Sequence, residues 1–201
     1  IGSAHKFGGP KGVGFLRLSP SIEGFYSARG GEQEGGRRSG TLNYPSIVSM
    51  SEVLSFLDQN ELAQAGTRLS WLLRFEERLL GSIPGLVING AGAERLWNTS
   101  SLRMPSQDNV RWLRKLDKEG FEVSTGSACS NGSEAPSHVL AALGLGGEAA
   151  RRTIRVSSGW LTTETEWVAL ADVIEKVWDE FSGKSGGAFE VVSVEFFEQM
   201  G

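Results

Sequence analysis

Cysteine is almost absent from this chain: Cys129 is the only one in 201 residues, and histidine occurs twice, at His5 and His138. One cysteine excludes an intrachain disulfide and argues against a cysteine-rich metal site. A zinc cluster would need carboxylates for most of its ligands. No apolar run is long enough to cross a bilayer. No charged-then-apolar segment of the secretory type opens the chain. Neither sign of charge dominates either: the net charge is −4, with no basic footprint for nucleic acid. A cytoplasmic protein with neither nucleic acid nor membrane as partner is the plain reading. Apolar content of 39% and charged content of 22% are ordinary for a globular chain. The length allows one good core, or one domain plus part of another. The chain begins with Ile1 and meets a dense motif within a few residues, which predicts a fragment or processed half of a longer protein.

The pattern of what is present alternates strands and helices, an α/β or α+β arrangement. Residues 1–18 read as loop and then strand, with Val13–Leu16 as the strand after a Gly/Pro/Lys turn. Residues 27–44 read as loop. Pro45 opens a helix with Ile47, Met50, Leu54 and Leu57 on one face. A second helix is expected from about Glu61 to Leu80, striped by Leu62, Leu69, Leu72, Leu73, Leu79 and Leu80 and stopped at Gly81. Leu86–Ile88 reads as a strand. Residues 107–119 read as a helix carrying Val110, Leu113 and Leu116, ended by Gly120. Phe121–Val123 reads as a strand leading into the cysteine segment. Pro136 starts a short helix with Val139, Leu140 and Leu143 inward, closed at Gly144. Thr153–Ser157 reads as a strand. Thr163 and Glu166 form a capping box before the clearest helix, whose Trp167, Leu170, Ala171, Ile174, Val177, Trp178 and Phe181 make a core stripe. The tail from Gly183 reads as an edge strand or an extension.

Four places have residues suited to chemistry. Cys129 lies within Ser124-Thr125-Gly126-Ser127-Ala128-Cys129-Ser130-Asn131-Gly132-Ser133, small and polar on both sides. A structural free cysteine sits among apolar residues. This one has no such cover, so an exposed, reactive sulfur that travels is expected. Lys6, beside His5 and followed by Gly8, Gly9 and Gly12, suits a lysine that makes a Schiff base. Ser3 and His5 are donors suited to a phosphate. A solvated basic turn fits the same spacing. Arg37-Arg38-Ser39-Gly40-Thr41 reads as an anion cradle or as a polar surface loop. Arg155, between Ile154 and Val156, either grips a carboxylate or lies on an exposed strand face. His138 reads as structural.

Taken in order, these elements resemble the cysteine desulfurases, pyridoxal-phosphate enzymes of the class-V aminotransferase group. The lysine loop, Arg-Ser-Gly-Thr, Gly-Ser-Ala-Cys and Ile-Arg-x-Ser-x-Gly carry the resemblance. Pro136–Leu140 and Thr162–Thr163 add to it. It spans roughly residues 1–180. It implies the C-terminal portion of a fold-type-I transferase dependent on pyridoxal 5'-phosphate: residues 1–60 from the large domain, 61–182 as an α+β small domain with its connecting helix, and 183–201 as a tail. It implies that Lys6 holds the cofactor covalently and moves the α-proton, with a lowered pKa for that work. Ser3 and His5 bind the cofactor phosphate, and Thr41 reaches the phosphate of the partner subunit in a homodimer. Arg155 grips the carboxylate of L-cysteine. Cys129 takes the sulfur as a persulfide, releasing L-alanine, and passes it to a sulfur-acceptor protein for iron–sulfur or thio-cofactor synthesis. Gly-Ser-Ala-Cys resembles the subgroup with the longer, mobile cysteine loop.

The family's N-terminal half has no counterpart here. That half supplies the aromatic ring stacked on the pyridine and the carboxylate on its nitrogen, which makes the ring an electron sink. The expected activity of the 201 residues alone is therefore nil or nearly so. Two alternatives stand beside the desulfurase: a non-enzymatic module that binds a sulfur acceptor, and a related enzyme such as a selenocysteine lyase.

Overall fold

In the computed structural model, residues 1–22, 24–125 and 137–183 are described. Glu23, residues 126–136 with Cys129 and the expected helix start at Pro136, and the tail after Gly183 lie outside the described residues. The chain divides into two compact units, Ile1–Ala65 and Gly66–Gly201.

The first unit starts with a tight reversal. Strand β1 (Gly2–Ser3) pairs antiparallel with β2 (Gly14–Phe15), so the second strand is shorter than Val13–Leu16 and its partner comes from residues expected to be loop. Between them Ala4–Lys6 forms one 3-10 turn, pinned by the fully buried Ala4. Ala4 N–H donates to the Val13 carbonyl at 3.0 Å, and Gly9 N–H donates to the Ala4 carbonyl at 2.8 Å. A β-carbon on Gly9 would stand 2.9 Å from that of Ala4, so only glycine allows this closeness. Helix α1 (Tyr44–Phe56) begins where expected: Pro45 sits in the first turn and the Asn43 side chain accepts from Ser46 N–H at 3.4 Å. Of its expected face, Met50 is buried whereas Leu54 is exposed.

The second unit carries the main core. Helix α2 (Ala65–Ser82) starts later than Glu61 and runs through Gly81. Its inward stripe is Leu72, Phe75, Glu76 and Leu79, while Leu73 and Leu80 face water. β3 (Val87–Ile88), β4 (Thr99–Arg103) and β5 (Thr153–Ser157) form an antiparallel sheet in that order. Its register pairs Ile88 with Leu102, Leu102 with Ile154 and Ser101 with Arg155. Side chains alternate between faces along a strand, so Ile88, Ser100, Leu102, Ile154 and Val156 share the core face. Helices α3 (Asn109–Lys118) and α6 (Glu164–Phe181) close that core with Trp112, Leu116, Trp167, Ile174 and Val177. Fully burying such a side chain contributes roughly 1.5–3 kcal/mol. Gly120 adopts a φ of 87° just beyond α3, as a left-handed helix stop requires.

Further readings change. β4 was unforeseen, because Thr-Ser-Ser-Leu-Arg offers a single apolar residue; its core face is completed by Ser100, which donates to Glu76 Oε1 at 2.6 Å. Phe121–Val123 is not a ladder strand; only Ser124 bridges to Arg155. In α4 (His138–Ala142) Leu140 is buried, while Val139 and Leu143 are exposed. A further short helix, α5 (Gly147–Arg151), precedes β5.

A buried ionic cluster holds α2 to the sheet. Glu76 is 4% exposed and takes both oxygens to Arg95, at 2.8 and 2.7 Å, as well as to Ser100. Bonding to Glu76 raises the Arg95 pKa above its ordinary value. Replacing Glu76 by Ala leaves the half-buried Arg95 and the buried Ser100 hydroxyl without their acceptor and is expected to cost about 3 kcal/mol in denaturant unfolding, the low end for a broken buried pair. Glu164→Ala, which breaks an exposed pair with Arg74, should cost under about 1 kcal/mol. Equal losses in the two variants would contradict this placement.

The capping box of α6 is complete: Glu166 N–H donates to Thr163 Oγ1 at 3.3 Å and Thr163 N–H donates to the Glu166 carboxylate at 2.7 Å. The Thr163 backbone bond, then its hydroxyl, lowers the Glu166 pKa below the ordinary 4.5. A lowered folded value gives stability that is full above the unfolded carboxyl's titration and is lost as pH falls through the folded value. Thermal melts from neutral pH downward should therefore show a shallower acid decline for Glu166→Gln than for the natural chain.

Candidate functional site

The outer face of the three-stranded sheet is polar where its inner face is apolar. Ser101, Arg103, Thr153 and Arg155 alternate with the core residues and so share that outer face. β5 presents Arg155 at its centre, flanked by the buried Ile154 and Val156. On the far side of β5, Arg155 N–H donates to the Ser124 carbonyl at 2.6 Å, and Ser124 N–H returns the bond at 3.0 Å. The start of the cysteine segment is thereby tied to the strand that carries the arginine.

Arg155 differs electrostatically from several other arginines of this unit. Arg74, Arg78, Arg95 and Arg152 each hold a carboxylate. Arg155 is half-buried, its Nε is buried without a hydrogen-bond partner, and no carboxylate pairs with it among the described residues. A partly desolvated cation without a counter-charge is unfavourable. The position suits an anionic guest that supplies the missing partner, and a carboxylate matches the guanidinium fork.

The strand end beyond Arg155 is clamped. Arg68, buried on α2, donates from Nη1 to the Trp160 carbonyl. Its guanidinium lies 5.5 Å from the Trp97 ring centroid and 5.6 Å from that of Trp160. The two indoles stand 4.8 Å apart. Arginine faces aromatic rings favourably in this way, so the loop that follows β5 is fixed from α2.

In the first unit, Ser3, His5 and Lys6 are all exposed, on or next to one 3-10 turn. A separate cleft of about 620 Å³ is lined by Arg37, Arg38 and Thr41 on its polar side and by Phe25, Ile47 and Met50 on its apolar side. Ser3, His5 and Lys6 do not line it. The two anion-binding candidates of this unit thus remain distinct places. Cys129 lies outside the described residues. His138 is exposed at the start of α4.

Sequence reasoning missed Asn89, Ser101 and Ser124 on the outer face, and Glu76, Arg95 and Ser100 behind it. The one signal in the sequence was the Thr-x-Ser alternation of Thr99–Arg103, weak because serine carries no apolar mark. Among the described residues, no helix is long and apolar enough to cross a membrane.

Comparison with known proteins matches this geometry to a family. Residues 1–170 match the aminotransferase class-V family. The cysteine desulfurase IscS of Dictyoglomus turgidum is 36% identical over 178 residues, covering 87% of this chain and 44% of the relative. A cysteine desulfurase of Klebsiella pneumoniae is 40% identical over 165 residues, covering 82% of this chain and 41% of its own length. Among solved structures, a NifS-like protein superposes with a TM-score of 0.72 at 30% identity, over 89% of this chain and 45% of that one. A NifS-like protein from Rickettsia africae gives 0.63 at 26% identity, over 82% and 41%. The chain spans less than half the length of the relatives it matches. With its family model matching residues 1–170, the chain belongs to the class-V aminotransferase family.

Proposed function

We propose that this chain is the C-terminal part of a cysteine desulfurase, which moves sulfur from L-cysteine to Cys129 and on to an acceptor protein. The observation that carries the reading is Arg155: a half-buried guanidinium with no counter-charge among the described residues. Similarity to curated cysteine desulfurases supports it. A thiol that must stay reactive belongs in a reducing compartment such as the cytoplasm.

The residues of the first turn fit pyridoxal 5'-phosphate in their chemistry. A hydroxyl, an imidazole and an amine, from Ser3, His5 and Lys6, are exposed together where the buried Ala4 anchors the backbone. Lys6 Nζ would hold the aldehyde end, Ser3 and His5 the phosphate, and Thr41 the phosphate in a second copy of the chain. When bound, the cofactor supplies an electron sink for the α-carbon of an amino acid.

The chain's own residues then divide the work. Arg155 holds the substrate carboxylate and so orients its Cα–H and Cβ–S bonds. Lys6 Nζ, once free, takes the proton from Cα. Cys129, as thiolate, attacks the substrate sulfur: an S–S bond forms, the Cβ–S bond breaks, and Cβ ends protonated as the methyl group of alanine. L-cysteine and one thiol become alanine and one persulfide, with no outside oxidant.

In the whole protein that carries this chain, Arg155→Gln should lower kcat/KM for L-cysteine about a hundredfold, as expected for losing a charged partner of a carboxylate. Cys129→Ala should abolish persulfide labelling while keeping the visible Schiff-base absorbance, which Lys6→Ala removes. Full sulfur transfer in Cys129→Ala would refute the assigned role.

The 201 residues by themselves are expected to be inactive, since they span less than half of the relatives. Steady alanine release from L-cysteine by the isolated chain would overturn this. The partial span also favours a second reading, an interaction module that binds a sulfur acceptor without cofactor. Schiff-base absorbance lost in Lys6→Ala excludes that reading, and comparing turnover of L-cysteine with selenocysteine separates the desulfurase from a selenocysteine lyase.

A further inference from the structure

A transverse row crosses the outer face of the sheet: Asn89, Ser101, Arg155 and Ser124. Its order follows from the register. Ser101 stands opposite Arg155 in the β4–β5 pair, and Ser124 bridges Arg155 from the other side. Asn89 continues β3, its N–H donating to the Ser101 carbonyl at 2.9 Å. Directly opposed residues of an antiparallel pair have β-carbons about 4.5–5.5 Å apart. Ser101 is therefore an immediate neighbour of the arginine that has no counter-charge among the described residues.

The Ser101 hydroxyl makes one of its three possible hydrogen bonds among the described residues. Asn89 is 8% exposed, and its Nδ2 donates to Ser101 Oγ at 3.1 Å. A hydroxyl has one proton to give and two lone pairs. The amide takes one lone pair and so turns the hydroxyl proton away from Asn89. Among the described residues Ser101 Oγ donates to nothing. Nor does it accept from Arg155 Nε, which is buried without a partner. One row thus offers a cation, an O–H with no acceptor among the described residues and a buried amide that orients it.

We propose that Ser101 is a second donor to the substrate carboxylate and that Asn89 is the positioning residue that aims it. This rests on the reading of Arg155 as the carboxylate grip. A carboxylate presents about four acceptor sites on two oxygens. The guanidinium fork occupies two of them, and the Ser101 hydroxyl reaches a third. Hydrogen bonds to a charged acceptor are stronger than those between neutral groups. The pair of donors also selects: an amide or ester in place of the carboxylate removes the charge, and an amide turns an N–H toward the donors.

The test uses the cofactor-loaded protein that carries this chain, with KM and kcat for L-cysteine and an equilibrium Kd for L-alanine as separate readouts. Ser101→Ala should raise KM and Kd about tenfold, the size of one hydrogen bond to a charged group, with kcat changed less than about threefold. Ser101→Thr keeps the hydroxyl on a residue suited to strands and should restore both constants. Asn89→Ala should weaken Kd in the same direction and by less. Constants unchanged in Ser101→Ala, while Arg155→Gln raises them, overturn the proposal alone. Threonine as impaired as alanine also overturns it, by pointing to packing. Constants unchanged in Arg155→Gln itself bring down the reading of the site, and this inference with it.

Discussion

One buried carboxylate sets the geometry of the second unit. Glu76 projects inward from α2 and accepts from both Arg95 and Ser100. Ser100 lies on β4, the central strand, which pairs with β3 on one side and β5 on the other. With Ser100 held inward, Ser101 must face outward, because successive strand residues point to opposite faces. A shift of one residue would exchange the faces of the whole strand. The outward position of Arg155, opposite Ser101, is thus linked through the sheet to an ion pair on its other side.

Charges in this unit are used in two ways. On the surface, Arg78 meets Asp172 and Glu175, Lys115 meets Glu180, and Lys176 meets Glu119. These pairs link α2 and the end of α3 to α6. They shift pKa values in the expected directions, lowering Glu180 through its bond to Lys115 and raising Lys176 through Glu119. Exposed pairs of this kind contribute little stability each. Arg155 belongs to neither the surface pairs nor the buried cluster. Among the described residues no carboxylate offsets its partial desolvation.

The two faces of the β4–β5 ladder also explain the division between stability and function. The inner face packs against Trp112, Trp167 and Ile174 in a continuous core. The outer face carries serine, threonine, arginine and the neighbouring asparagine. The Arg68 clamp on Trp160 and the bridge at Ser124 hold the segments on either side of β5. The arginine is thereby presented from a rigid strand while its neighbours on both sides are fixed.

Local chemistry was readable in the sequence wherever short-range rules decide. The Thr163–Glu166 cap, the Pro45 helix start, the Gly120 stop and the β-branched strand Thr153–Ser157 follow from backbone preferences within a few residues. The ordered motifs pointed to the family because their spacing along the chain needs no knowledge of contacts. What lay beyond the sequence depends on partners distant in it. β4 was hidden because a serine takes a core position, and only Glu76, 24 residues earlier, makes that position tolerable. Leu73, Leu80 and Val139 look like core residues in isolation, yet tertiary packing leaves them facing water and turns Phe75 inward. The sequence by itself determined which side chains are available for chemistry, how α1 and α6 begin and where α3 ends. Tertiary structure alone decided that Arg155 stands beside Ser101 with no paired carboxylate among the described residues, because a counter-charge is a property of the whole surroundings and of no local pattern.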